Sequence, residues 1–417
     1  MSDRGAPLTE RRYLLPFVLV TSLFFLWAIG VNLNDILIPH LKKALDLSDF
    51  QSSLIQTSFF GGYFLMALPA GWVMRKLGYR NGILIGIALC GFGTLLFQPA
   101  ATARWYPFFL LALFVMACGQ CVLEVAANPY VTLLGPAESA ARRLTTAQIF
   151  NALGSVLTPV LGARFILSSS QQPVASATAI DAWRVSEASS VKAPYLIITA
   201  IFVVVGLIMA RARLPEVKES GVGGGRGLGD AWRHAHLRRG VITQFCYVGA
   251  QVGVASFVIR FAKHAVPGTD DIGAAIFLFW HQAGFLLGRV LGSFIMKRVA
   301  APKLLATVAV LGLVAAAFAA TGSGMAAVWM VALLGLFHSI QFPTIFALSL
   351  DGLGEDTKLG SSLLVMSIVG GAIIPAAMGR LSDATSIQTA FWIPALCYLV
   401  VLHFAWRGHR HTLGVAS

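Results

Sequence analysis

Charged side chains are scarce in this chain. They make up 12% of its 417 residues, against about 25% in soluble domains, which excludes an ordinary water-soluble globular protein. Acids are the scarcer sign, with 18 Asp and Glu against 31 Lys and Arg. Cysteine is sparse too: the five residues Cys90, Cys118, Cys121, Cys246 and Cys397 all fall inside apolar runs, which excludes a disulfide framework as the scaffold. Cys118 and Cys121 have C-x-x-C spacing but no second pair, so the expected role is that of small helix-packing residues. No H-E-x-x-H or G-x-S-x-G occurs. The glycine-rich GVGGGRGLGD fits neither phosphate-loop pattern, and no strand signal precedes it. Enzyme chemistry, a resident metal and a bound cofactor are therefore not expected.

What the chain has in abundance is apolar length. Hydrophobic residues are 57% of it and the mean hydropathy is +0.76. A helix needs roughly 20 apolar residues to span a bilayer. Such runs occur at 13–38, 51–74, 82–99, 107–134, 144–168, 194–211, 240–262, 273–296, 303–321, 325–350, 359–379 and 388–406. The expectation is an all-α membrane protein with twelve transmembrane helices. The first run is too long for a cleaved leader and lacks a small-residue cleavage site, so it counts as the first span. Residues 212–239 form the long interior break, Gly-rich and suited to a flexible linker. The expected domains are a six-helix bundle over 1–211, a linker over 212–239 and a second six-helix bundle over 240–417.

Two further patterns support two halves. Gly71-Trp-Val-Met-Arg75-Lys76 follows the second span, and Gly292-Ser-Phe-Ile-Met-Lys297-Arg298 follows the eighth, as parallel repeats would give. Prolines Pro69, Pro129, Pro159, Pro343, Pro375 and Pro394 fall within spans, where each removes a backbone donor and bends its helix.

The basic excess is explained by where it sits. With the N-terminus inside, 21 Lys and Arg fall in inner loops and termini, 7 in outer ones, and Arg164, Arg260 and Arg289 in spans. That bias puts both termini in the cytoplasm. The partner for this charge is anionic lipid of the inner leaflet, with no nucleic acid expected.

The chemistry is expected from the few polar groups left in the membrane. Of the 18 acids, only Asp35 and Glu124 lie within spans. An intramembrane acid costs on the order of 3 kcal/mol on insertion scales, so it has a partner or a job. Removal from water disfavours the ionised form. A neutral acid can therefore sit in an apolar cavity while an ionised one faces water, which is what proton coupling requires. Static pairing with Arg164, Arg260 or Arg289 is the alternative.

Amides cluster near these acids. Asn32 and Asn34 flank the Asp35 turn. Asn128 is one helical turn after Glu124, and Gln148 and Asn151 are spaced i, i+3. Amides and carboxylates together offer donors and acceptors, which suits sugar hydroxyls. The second half adds Gln251, His281, Gln282, His338 and Gln341, with Trp280, Phe277 and Phe342 as candidate covers for a sugar ring.

Several blocks then resemble the fucose permease family of proton-coupled sugar symporters. They are NLNDILIPH (32–40), LEVAANPYVTLLGP (123–136), RLTTAQIFNALG (143–154), QFCYVGAQ (244–251), SIQFPTIFALSL (339–350) and GEDTKLGSSLLVMSIVGG (354–371). The resemblance implies the major facilitator fold, with a central site and alternating access. It implies that Asp35 is the proton-titrating aspartate and that Glu124 is the cavity glutamate that contacts sugar. Asn32, Gln148 and Asn151 match sugar-contact and gating positions. Val31, Ala255, His281 and Gln282 depart from the fucose permease pattern and bear on which sugar is carried. The expected function is import of L-fucose or a related hexose with a proton. The alternatives are a glucose/galactose or N-acetylhexosamine symporter coupled to H+ or Na+, or a drug/H+ antiporter. The expected partners are a monosaccharide and membrane lipid, the working unit a monomer, and the location the bacterial inner membrane.

The charge bias generates a topology prediction. Green fluorescent protein fused after Ser417 should fluoresce, and alkaline phosphatase fused at the same point should be inactive. The reverse pair of signals would place the C-terminus outside.

Overall fold

The computed structural model describes residues 7–45, 47, 49–165, 185–186, 189, 191–212, 214–215 and 228–410. It is helical, with no strand among the described residues. In chain order the helices are α1 (Leu14–Ala44), α2 (Asp49–Leu95), α3 (Phe97–Ala103), α4 (Tyr106–Leu133), α5 (Ala140–Phe165) and α6 (Lys192–Arg211). Then follow α7 (Leu228–Arg233), α8 (Ala235–Ala265), α9 (Asp271–Ile295), α10 (Ala301–Thr321) and α11 (Gly324–His338). The last are α12 (Gln341–Leu350), α13 (Thr357–Met366), α14 (Gly370–Ala384) and α15 (Trp392–His403). Ten helical stretches among the described residues are long and apolar enough to cross a membrane.

Two spans, the tenth and the eleventh, differ in detail from the expectation. The second and third are the two arms of the 47-residue stretch α2, separate as expected and meeting at Gly78, whose φ is 79°. At 1.5 Å per residue an unbroken helix of that length would run about 70 Å, more than twice the hydrocarbon core. The left-handed conformation at Gly78, cheap only for glycine, turns the chain back. Asn81 follows on the second arm, its amide donating to the Leu77 carbonyl at 2.8 Å. The tenth span is split at Ser339–Ile340 into α11 and α12. Pro343 falls in the first turn of α12, where its missing N–H leaves no helical bond unmade. The eleventh is split by a 3-10 turn at Ser367–Val369 into α13 and α14.

By contacts the chain forms two compact units. One comprises 18–127 with 150–216, and the other 1–17, 128–149 and 217–417. Residues 1–17 and 128–149 group with 217–417, and polar contacts join them. Thr146 Oγ1 and Ser293 Oγ lie 2.7 Å apart, and Arg289 Nη1 donates to the Gln148 carbonyl at 2.5 Å.

The first unit is held by small residues at helix crossings. A Cβ on Gly93 of α2 would collide with the Met116 backbone of α4, and one on Gly119 of α4 with the Cys90 backbone of α2. Without a hydrophobic drive between helices in lipid, such close approach maximises packing and polar contact. Cys118 and Cys121 serve that packing: their thiols donate to the Gly62 and Tyr63 carbonyls at 3.8 and 3.4 Å. Phe97 stacks on Tyr195 with centroids 3.8 Å apart, and Thr94 meets Thr199 at 2.9 Å.

The second unit has a core of Val254, Phe257, Phe261, Phe277, Val328, Val331, Phe391 and Tyr398. It also contains the end of α4. There Arg143, wholly buried, donates through Nε to the Val131 carbonyl at 2.7 Å and through Nη2 to that of Thr132. Its Nη1 reaches the Leu8 carbonyl at 2.9 Å and Ser139 Oγ at 2.8 Å. Helix C-termini leave carbonyls unpaired and carry partial negative charge. The guanidinium answers both and ties down the N-terminal segment, where Thr9 Oγ1 also donates to the Leu134 carbonyl at 2.6 Å.

Arg143→Met should therefore lower the thermal unfolding midpoint of the detergent-solubilised protein by about 5 °C or more, since several charge-assisted bonds are lost. Arg143→Lys should recover little, because an ammonium lacks the planar fork. An unchanged midpoint in both variants would remove this role.

Candidate functional site

The first group of candidate residues is built on one face of α4. Gln120, Glu124 and Asn128 repeat every four residues, so they stack on a single helical stripe. Gln120 and Asn128 are fully buried and Glu124 is 4% exposed. Around them α4 is apolar: Ala117, Cys121, Leu123, Ala127 and Val131 are buried alongside. Tyr63 of α2, itself buried, hydrogen-bonds the Glu124 carboxylate through its hydroxyl. Gln120 lies against α1 at Gly30, where a Cβ would collide with its Nε2.

A second polar line joins α1 to α5. Asn32 Nδ2 donates to the Ala28 carbonyl at 2.7 Å and to Ser155 Oγ at 3.0 Å. Ser155 Oγ in turn donates to the Asn151 carbonyl at 3.1 Å, and Asn151 Nδ2 reaches the Phe24 carbonyl at 3.3 Å. A close crossing permits this, since a Cβ on Gly154 would stand 2.8 Å from both Ala28 Cβ and the Phe25 carbonyl. Asn32 and Asn151, separated widely in sequence, thus share a partner. Asp35 and Asn34 lie on α1 and Arg164 on α5, but their side chains fall outside the described residues.

In the other unit the residues form two environments. His281, His338 and Gln341 are buried in the packed interior. His338 Nε2 pairs with the Tyr398 hydroxyl, and its carbonyl accepts from Tyr247 Oη at 2.9 Å. His281 lies with its ring centroid 5.6 Å from that of His338, and its Nδ1 is 3.3 Å from the Val331 carbonyl. Gln341 Nε2 donates to the Phe337 carbonyl at 3.0 Å. A Cβ on Gly335 would collide with the His281 carbonyl, so α9 and α11 touch backbone to backbone there.

Gln282 is in a different setting. It is exposed and shares a flank of α9 with Arg289 and Ser293, seven and eleven residues on. That flank faces 146–148 of α5, through the Thr146–Ser293 and Arg289–Gln148 contacts already described. The buried Arg289 also donates through Nε to the Ser339 carbonyl at 3.3 Å and lies 4.3 Å over the Phe285 ring. Gln148 is 3% exposed and Gln251 is half-buried. Arg260, outside this flank, covers the Phe257 ring at 4.0 Å. The shallow groove of about 320 Å³ formed by Leu54, Thr57, Ser58, Gly61, Leu110 and Phe114 contains none of these residues.

Sequence reasoning missed Gln120, Tyr63 and Tyr398. Gln120 was detectable, because it precedes Glu124 by one helical turn. Tyr63 and Tyr398 carried no such signal, since their pairing depends on other helices.

These side chains lie on helices whose pattern over residues 20–368 matches the family model described as Major Facilitator Superfamily. The chain belongs to the Major Facilitator Superfamily. It is 42% identical over 404 residues to a glucose/galactose transporter of Brucella abortus biovar 1 (strain 9-941), covering 96% of each chain. It is 41% identical over 409 residues to the L-fucose-proton symporter of Escherichia coli (strain K12), covering 95% of this chain and 93% of that one. A crystal structure of the superfamily transporter FucP in the outward conformation superposes with a TM-score of 0.90 at 40% identity, covering 96% of this chain and 100% of that one. The expected resemblance to fucose permeases and the expected fold class are both met. The chain is a membrane transporter rather than an enzyme.

The two settings of the second unit separate experimentally. Tyr398→Phe should lower the unfolding midpoint by about 3 °C through loss of a buried hydrogen bond, and His338→Leu by more. Gln282→Ala should leave it within about 1 °C, as a partly solvated side chain does. Thermal unfolding in detergent checks all three.

Proposed function

We propose that the protein imports L-fucose or a related hexose together with a proton by alternating access. The observation that carries this reading is a buried carboxylate, Glu124, held by the Tyr63 hydroxyl within a face of amides. It sits in a chain with full-length likeness to a protein named an L-fucose-proton symporter. Asp35 takes the proton. Asn32, Glu124, Asn128, Gln148 and Asn151 meet the sugar from the first half, and Gln251, His281, Gln282, His338 and Gln341 from the second. The protein adds no covalent chemistry, and the free energy of import comes from the proton gradient. Proton and sugar drive the cycle only through their different affinities for its conformations. We place the working monomer in the inner membrane of a bacterium, with both termini cytoplasmic, anionic lipid at its basic loops, and no nucleic-acid partner.

One further observation bears on the sugar. The glucose/galactose transporter is as similar to this chain as the fucose symporter is, so D-galactose and D-glucose belong in the same trial. Na+ is the alternative coupling ion, since a carboxylate serves either cation.

In proteoliposomes, adding L-fucose or D-galactose should alkalinise the medium as the sugar enters. Uptake with no pH change, and dependent on Na+, would replace the proton. Asp35→Asn should abolish accumulation against a gradient while leaving exchange of labelled for unlabelled sugar within about threefold. Undiminished accumulation in that variant would remove Asp35 from the coupling step.

A further inference from the structure

Gln120 is the one member of the α4 stripe that nothing above has given a task. It is fully buried, and neither its Nε2 nor its Oε1 has a hydrogen-bond partner. An amide left this way has given up its hydrogen bonds to water and gained none in return. A methionine of similar shape would fill the same space at no such cost. The amide is placed against Gly30 of α1, and the absence of a side chain there is what admits it.

Its depth is informative. Asp35 follows Gly30 by five residues, about 7.5 Å along α1 at 1.5 Å per residue. Glu124 follows Gln120 by four, about 6 Å along α4. As first and fourth spans, α1 and α4 run in opposite directions. Asp35 and Glu124 therefore lie on opposite sides of the level at which Gln120 touches α1, roughly 13 Å apart in depth. No direct hydrogen bond spans that distance. Among the described residues, the other titratable groups that interact with Glu124 include Tyr63 of α2 and Cys121 of α4, and neither lies on α1.

We propose that Gln120 is a positioning residue that holds water between Asp35 and Glu124, and so makes a proton path between them. A buried polar site with free donors and acceptors is where internal water is stable. Oε1 accepts from one water and Nε2 donates to another, so the amide anchors the middle of a short file of waters. The Asp35 carboxylic acid gives its proton to the first water of the file, each water passes a different proton to the next, and the last gives one to the Glu124 carboxylate. One O–H bond breaks at Asp35 and one forms at Glu124, while the waters and the amide end unchanged. The inference rests on the proposed pairing of the two acids in proton coupling.

The test follows a proton rather than a sugar. In the purified full-length protein, a pH jump is followed by time-resolved infrared absorption of the Glu124 carboxyl band, identified by its loss in Glu124→Gln. Gln120→Met should slow the protonation of Glu124 at least tenfold without moving its titration midpoint. Gln120→Asn, which keeps an amide, should slow it less, and Gln120→Leu serves if the Met variant does not fold. Asp35→Asn should slow the same step, and adding Gln120→Met to it should slow it no further. An unchanged rate in Gln120→Met, or a slowing that simply multiplies with that of Asp35→Asn, would overturn the relay. Sugar-induced alkalinisation by the wild-type protein, measured alongside, reports the symport reading separately. Its absence with normal Glu124 protonation kinetics would sink symport and leave the relay standing.

Discussion

A carboxylate in hydrocarbon must be met by a donor, and this constraint shapes the first unit of the protein. Glu124 is buried on α4, where isolated ionisation would be costly. The Tyr63 hydroxyl supplies a donor from α2. For that donor to reach, α2 and α4 must cross closely. The crossing is made by small residues: Gly62 against Ala117, Gly93 against Met116, and Gly119 against Cys90. Even the cysteines follow this logic, their thiols donating to α2 carbonyls where a larger side chain would hold the helices apart.

The same accounting governs the positive charges. Arg143 and Arg289 are both buried, and both spend guanidinium donors on backbone carbonyls. Arg143 caps the end of α4, where carbonyls lack partners in any helix. Arg289 takes the Gln148 and Ser339 carbonyls, the second of which lies at the break between α11 and α12. Helix interruptions in a membrane are tolerated where neighbouring groups satisfy the freed backbone. Here a side chain from α9 does so, next to a proline that could not have continued the hydrogen-bond ladder.

Much of this was legible in the chain itself. Apolar runs of spanning length gave the helices, because the bilayer demands length and nothing else of comparable strength. Glu124 stood out because an acid there has no cheap explanation, and Asn128 followed from helical spacing. The misreadings were of helix continuity. Nothing in the apolar pattern revealed that the tenth and eleventh spans are each two helices, and the gap between the second and third did not show that Gly78 alone makes the turn. Cut-off positions set by hydropathy see composition, whereas a turn is set by one dihedral angle.

The partners of the polar residues were a different matter. Asn32 and Asn151 meet at Ser155, and His338 meets Tyr398, through helices far apart in sequence. By itself the sequence determined the number and length of the spans and which ionisable groups would be exceptional, since those follow from the cost of moving side chains out of water one at a time. Only the tertiary structure decided which donor answers which acceptor, and that Gln120 has none, because a hydrogen bond depends on a few tenths of an ångström between helices that no local pattern encodes.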